Sequence, residues 1–213
     1  MFFESDPNRF RAMMLPTSAD LRAMLRLALP VAAVQLGMMA MGVVDTIMVG
    51  HLSPTALASA ALGNLYFFIA GIFGQGTLMA LDPVISQAVG ANDEDAIARA
   101  LQRGILLALA LTVFSCATFI PARAVLTMLG QPAEVIPDAA TYVRIAIPGV
   151  FPFYAFVVFR QSLQAMHRVA PVLWTVLIAN LINAGLNWVF IYGNLGSPPL
   201  GVGGSSIATS TAR

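Results

Sequence analysis

Apolar and polar positions alternate along this chain in long blocks rather than in short strides. Five uninterrupted apolar stretches stand out, at 27–50, about 57–81, about 100–120, about 142–163 and about 170–192. Each is long enough to cross a bilayer, which takes ~20 apolar residues at 1.5 Å rise each. A spanning segment must satisfy its own backbone groups, so each is a helix or a barrel strand. Barrel strands run to about 10 residues with strict alternation, and these stretches do neither. The pattern therefore predicts an all-α polytopic helical bundle, with five full transmembrane helices. A sixth begins at Gly201 and reaches the last residue, Arg213, after 13 residues, short of a full span. The expectation is an amino-terminal segment, 1–26, followed by a transmembrane lobe, 27–213, cut within its sixth helix. In the first segment, Thr17-Ser18-Ala19-Asp20 could cap a short amphipathic helix entering the membrane at Leu21–Leu29.

Composition agrees with an integral membrane protein. Of 213 residues, 58% are hydrophobic and 10% charged, and mean hydropathy is +0.81. Globular chains carry about 25% charged residues. The net charge of +1 supplies no field for nucleic acid. The one cysteine, Cys116, lies in an apolar run and reads as a small packing residue. The amino-terminal 25 residues hold acids and prolines where a signal peptide has its apolar core.

Arginine placement sets the expected orientation. Arg9, Arg11, Arg22, Arg26, Arg99, Arg103, Arg160 and Arg168 fall on one side if the spans alternate; Arg123 and Arg144 fall on the other. The amino terminus is then cytoplasmic. Pro83, near the end of the second span, removes a backbone donor and should kink that helix. Gly71, Gly74 and Gly76 should let helices approach closely. Gln35 and Gln75 could line a cavity or hydrogen-bond between helices, the second being favoured, and Asp82 reads as an interfacial carboxylate.

Asp45 is the only charged side chain between Arg26 and His51. A carboxylate at membrane depth costs about 2.5–3.5 kcal/mol on insertion scales, so it ordinarily faces a bundle interior or wet cavity and serves an ion or substrate. From the span midpoints, Asp45 lies ~10 Å beyond the centre of span one. Asn183 and Asn187 lie ~3 and ~9 Å beyond the centre of span five. Asn180, Asn183 and Asn187 are three and four residues apart, so they share one helix face. Asp45 with amide oxygens around it is a hard oxygen cage suited to a proton or Na⁺. These four residues are the expected cation- or proton-binding site. No catalytic, cofactor or dedicated metal motif is present: there is no HExxH, GxSxG, P-loop or paired cysteine. A membrane enzyme would need a nucleophile and base that meet, and a lone Asp among amides supplies neither.

Four segments in order resemble the amino-terminal half of the multidrug and toxic compound extrusion (MATE) transporters. They are LALPVAAVQ with VDTIMVGHLS, GQGTLMALDPVISQAVGA, FRQSLQAMHRVAPVL, and NAGLNWVFIYG with LGVGGSSIATS. The resemblance implies one lobe of a twelve-helix, two-lobe antiporter of a bacterial inner membrane. Small organic molecules, mostly cations, would be exported in exchange for H⁺ or Na⁺, with no other cofactor. The partners would be those substrates, membrane lipid and the missing carboxy-terminal lobe. Asp45 would be the ion-binding carboxylate, Asn183 and Asn187 its partners, and Ser205, Ser206 and Thr209 the source of a hydroxyl. Some relatives carry a second carboxylate where this chain has Asn187, so H⁺ and Na⁺ both stand. Two rivals remain: a lipid-linked saccharide flippase, which would need a basic cavity, and a non-transporting scaffold, in which Asp45 would be replaceable.

Overall fold

The computed structural model describes residues 17–213 and is helical throughout, with no strand among them. Helix α1 runs Ser18–Gly50, α2 Pro54–Leu78, α3 Leu81–Gly90, α4 Glu94–Phe119, α5 Ala122–Met128, α6 Ile136–Ile145, α7 Val150–Ala165, α8 Ala170–Tyr192 and α9 Gly201–Ala212. Four helical segments are long and apolar enough to cross a membrane: α1, α2 with α3, α4, and α8. A fifth span is formed when α6 and α7 are taken together.

Local chemistry sets the helix ends. Thr17 and Asp20 close a capping box at the start of α1. The short amphipathic entry helix is absent as a separate element, because α1 continues through Pro30 to Gly50 without a break. The rest of the expected amino-terminal segment, residues 1–16 with Arg9 and Arg11, lies outside the described residues. Ser53 accepts from Ala56 N and Pro54 opens α2. Asp93 caps α4, with Glu94 and Asp95 in its first turn. Helix α8 stops at Gly193, whose φ of 76° is left-handed.

Among the described residues one span is interrupted by a turn and another is bent. The second breaks at Met79–Ala80, between α2 and α3. Pro83 stands four residues past Met79, where its missing N–H and its ring open the helix. The kink expected from Pro83 is therefore displaced one turn upstream. The fourth span was expected as one helix over 142–163. It begins six residues earlier and bends by 42° around the 3₁₀ turn Ile147–Gly149, which contains Pro148.

The bundle has two seams. In one, α1, α8 and α9 pack together, and Tyr192 Oη donates to Met48 O at 2.8 Å where α8 ends beside α1. Gly204 lets α9 lie directly on the α8 backbone at Phe190 and Ile191. In the other, α2, α4 and α7 enclose an apolar core of Phe67, Leu78, Phe119, Val150, Tyr154 and Val158. Gly74 faces the Tyr154 ring and Gly63 the Tyr142 ring, both in close contact, whereas Gly76 has open space beside it. Arg160 corrects the arginine count. It is expected among the cations flanking the turn between spans four and five, but it is 8% exposed inside the bundle, with its Nη1 3.2 Å from Met38 Sδ. Its position on the last turns of α7, facing α1, removes it from the cations that set orientation.

Candidate functional site

Three helices bring one polar cluster together in the α1–α8–α9 seam. Asp45 lies on the last turns of α1, and Asn187 Nδ2 of α8 donates to its Oδ1 at 2.5 Å. Thr209 Oγ1 of α9 donates to the other carboxylate oxygen at 2.7 Å. Asn187 Nδ2 also lies 3.2 Å from Asn183 Oδ1, and Asn183 Nδ2 donates to Thr209 Oγ1 at 3.3 Å. The ring of four side chains is closed. Asn183 and Asn187 are fully buried, Thr209 is buried, and Asp45 is half-buried. Hydrogen bonds to an ionised acceptor are about twice as strong as neutral ones. That is why a carboxylate can be held here against its insertion cost. Asn187 Oδ1 is left buried without a donor, so the cluster keeps one spare amide oxygen beside the carboxylate.

Asn180 does not join the ring. Its Nδ2 donates to Gly37 O at 2.9 Å and Val176 O at 2.7 Å, fastening α8 to α1 two turns away. Helical spacing placed it on the Asn183 face, but the element it meets there is the α1 backbone at a glycine. Of the three hydroxyls suggested for helix six, Thr209 reaches Asp45. Ser206 donates to Tyr142 O at 2.7 Å, and Ser205 Oγ is buried without a partner.

Asp45 also borders a cavity of about 590 Å³. Its wall includes Gln35, Asn64, Phe67, Gln75, Thr209 and Arg213. Drug-sized ligands occupy sites of roughly 300–1,000 Å³. Gln35 and Gln75 thus line this space, the less favoured of their two expected roles. Asn64 and Arg213 had not been singled out; Arg213 follows Thr209 by four residues, and that spacing was the available signal. Among the described residues, no group of three His, Cys, Asp or Glu could hold a metal ion. Any cation here would rest on Asp45 with amide and hydroxyl oxygens.

The MatE family model matches residues 30–189. The chain belongs to the MatE family. It is 36% identical over 193 residues to the "Probable multidrug resistance protein NorM" of Mesorhizobium japonicum, covering 90% of this chain and 41% of that protein. It is 34% identical to the "Multidrug resistance protein MdtK" of Yersinia enterocolitica, covering 90% and 42%. The MatE chain thus spans about two fifths of the curated relatives it matches. The crystal structure of the eukaryotic MATE transporter AtDTX14 superimposes with a TM-score of 0.80 at 22% identity, covering 90% of this chain and 42% of that one. An inward-facing multidrug resistance MATE family transporter of the MOP superfamily gives 0.71 at 23%. These two establish the shared fold.

Proposed function

We propose that this chain is the amino-terminal lobe of a secondary active exporter that moves organic, mostly cationic, compounds out of the cell in exchange for H⁺ or Na⁺. The observation that carries this reading is Asp45. It is a carboxylate held by Asn187 and Thr209 inside a helical bundle, and it opens onto a drug-sized cavity. Asp45 takes the coupling ion, and Asn183, Asn187 and Thr209 hold the carboxylate in place. The spare Asn187 Oδ1 offers an oxygen ligand should the ion be Na⁺. Cationic substrate and coupling cation then exclude each other electrostatically, which is the condition for exchange. Alternating access needs one repeat to move against another. The matched relatives are more than twice as long, which supports a carboxy-terminal lobe as the partner. The protein sits in the bacterial inner membrane with its amino terminus in the cytoplasm. No step calls for enzymatic chemistry.

The cavity disfavours the flippase reading, since an anionic saccharide lipid needs a basic wall. Here one guanidinium, Arg213, is balanced by one carboxylate, Asp45.

The test uses residues 1–213 in lipid nanodiscs with ethidium as the probe. Protons or Na⁺ should displace bound dye, and Asp45→Asn should remove that displacement. Whichever ion displaces it is the coupling ion. Displacement that persists in Asp45→Asn would return Asp45 to a scaffold role. In liposomes with a pH or Na⁺ gradient, the lobe alone should not accumulate dye. Accumulation lost on Asp45→Asn would show that it works without a second lobe.

A further inference from the structure

The cavity already contains a cation of its own. The Arg213 guanidinium carbon lies 3.9 Å from the centre of the Phe67 ring and 5.6 Å from that of Phe153. The ring faces are fixed by their neighbours. Phe67 is 4% exposed, meets Phe153 edge to face at 5.7 Å, and is backed by Phe119 at 5.6 Å. Among the described residues Arg213 makes no ion pair or hydrogen bond through its side chain. What holds the guanidinium is therefore the π face and the field of the cavity. Phe67, Arg213 and Asp45 all border the same space. Arg213 is one helical turn beyond Thr209, whose hydroxyl bonds Asp45, so the guanidinium extends from the side of α9 that meets the carboxylate of α1.

We infer that the Phe67–Phe153 face is a binding site for the cationic head of an aromatic or quaternary ammonium compound, and that Arg213 is its tethered resident. A substrate cation gains this face only by displacing the guanidinium. Arg213 thereby sets a threshold: a compound with a single weak charge is turned away, and one with a large, delocalised cation and apolar surface competes. The two charges also give the cavity a neutral balance while Asp45 is ionised. Filling Asp45 with a proton or Na⁺ leaves Arg213 as the uncompensated charge, which raises the threshold further. This inference rests on the reading of the chain as an organic-cation exporter.

The experiment measures ethidium binding to residues 1–213 in nanodiscs by fluorescence anisotropy, for the wild type, Arg213→Gln, Arg213→Lys, and Phe67→Leu alone and combined with Arg213→Gln. N-phenyl-1-naphthylamine serves as a neutral aromatic control. Arg213→Gln should lower the Kd for ethidium about tenfold, the size of a desolvated cation–π attraction. Arg213→Lys, which keeps the charge, should stay near the wild type. Adding Phe67→Leu to Arg213→Gln should cancel the gain. The neutral dye should change less than about twofold, because it does not feel the π-face attraction for charge. Should Arg213→Gln lose the helical circular dichroism of the wild type, Arg213→Met, apolar and of similar length, repeats the comparison. Unchanged or weaker ethidium binding in the charge-removing variants, Arg213→Gln or Arg213→Met, overturns the inference while the exporter reading stands. An equal gain for both dyes also overturns it, since Arg213 would then only fill space. Ethidium binding by none of the proteins would remove the exporter reading and the inference together.

Discussion

The two seams of this bundle hold helices together by opposite means. In the α2–α4–α7 seam, the rings of Phe67, Phe119 and Tyr154 interlock, and Tyr154 Oη lies 2.7 Å from Ser115 Oγ and donates to Gly71 O at 3.4 Å. In the α1–α8–α9 seam, four polar side chains form a closed ring around a carboxylate. Lipid gives no hydrophobic reason for helices to associate, so packing and hydrogen bonds must do it. The apolar seam achieves this chiefly with shape, aided by neutral hydrogen bonds of tyrosine. The polar seam carries a carboxylate that two particular neighbours, Asn187 and Thr209, satisfy. Structure that could be built more simply is thus built around Asp45, and the difference marks which seam works and which supports it.

The strongest way to break the polar seam is through its closest backbone approach. A Cβ at Gly204 would lie 2.5 Å from Phe190 O and 2.9 Å from Ile191 N. Backbone cannot rotate aside, so Gly204→Ala should push α9 away and draw Thr209 off Asp45. Overpacking typically costs about 1–3 kcal/mol. The expected readouts are a lower thermal midpoint in micelles and loss of ion-sensitive dye displacement. Gly74→Ala in the apolar seam meets the far end of the Tyr154 side chain rather than backbone, and should cost less. If Gly74→Ala proves the worse of the two, the polar seam is not the more tightly specified.

Next in size is the coupling across each seam's hydrogen bond. A double-mutant cycle between Asp45→Asn and Asn187→Leu should give a coupling of about 1.5–3 kcal/mol, as expected for a bond to a charged group. The matching cycle between Tyr154→Phe and Ser115→Ala should give about 0.6 kcal/mol, the average for hydrogen bonds between membrane helices. Equal couplings would mean that Asp45 is neutral in the resting protein.

Much of this was legible in the sequence, and the omissions have one cause. Continuous apolar runs fixed the spans, because membrane depth permits few alternatives. Asn183, Asn187 and Asp45 could be brought together because helical period and depth are both properties of single helices. What stands opposite a residue is not such a property. Asn180 shares a face with Asn183, yet the rotation of α1 presents it with the Gly37 carbonyl. Arg160 looked like a loop cation because it is near a helix end, yet α7 turns it inward. The bend at Ile147–Gly149 was hidden because the hydropathy of the run does not change there, although Pro148 stood in view.

Asn180 also gives the smallest and most discriminating test of the comparison. It lies on α8 with the ring residues and donates an amide hydrogen bond as they do, but to backbone rather than to Asp45. If membership of the seam is what matters, Asn180→Leu should behave like Asn187→Leu. If contact with the carboxylate is what matters, the two should separate. We expect separation. Asn180→Leu should cost about 0.6 kcal/mol, one ordinary hydrogen bond between helices. It should also leave ion-driven displacement of ethidium intact. Asn187→Leu should weaken that displacement even in a background stabilised to fold equally well, because it strips a donor from the carboxylate proposed to take the ion. Matching losses of displacement in both variants would extend the site along α8 to Asn180 and erase the boundary drawn between ring and fastening.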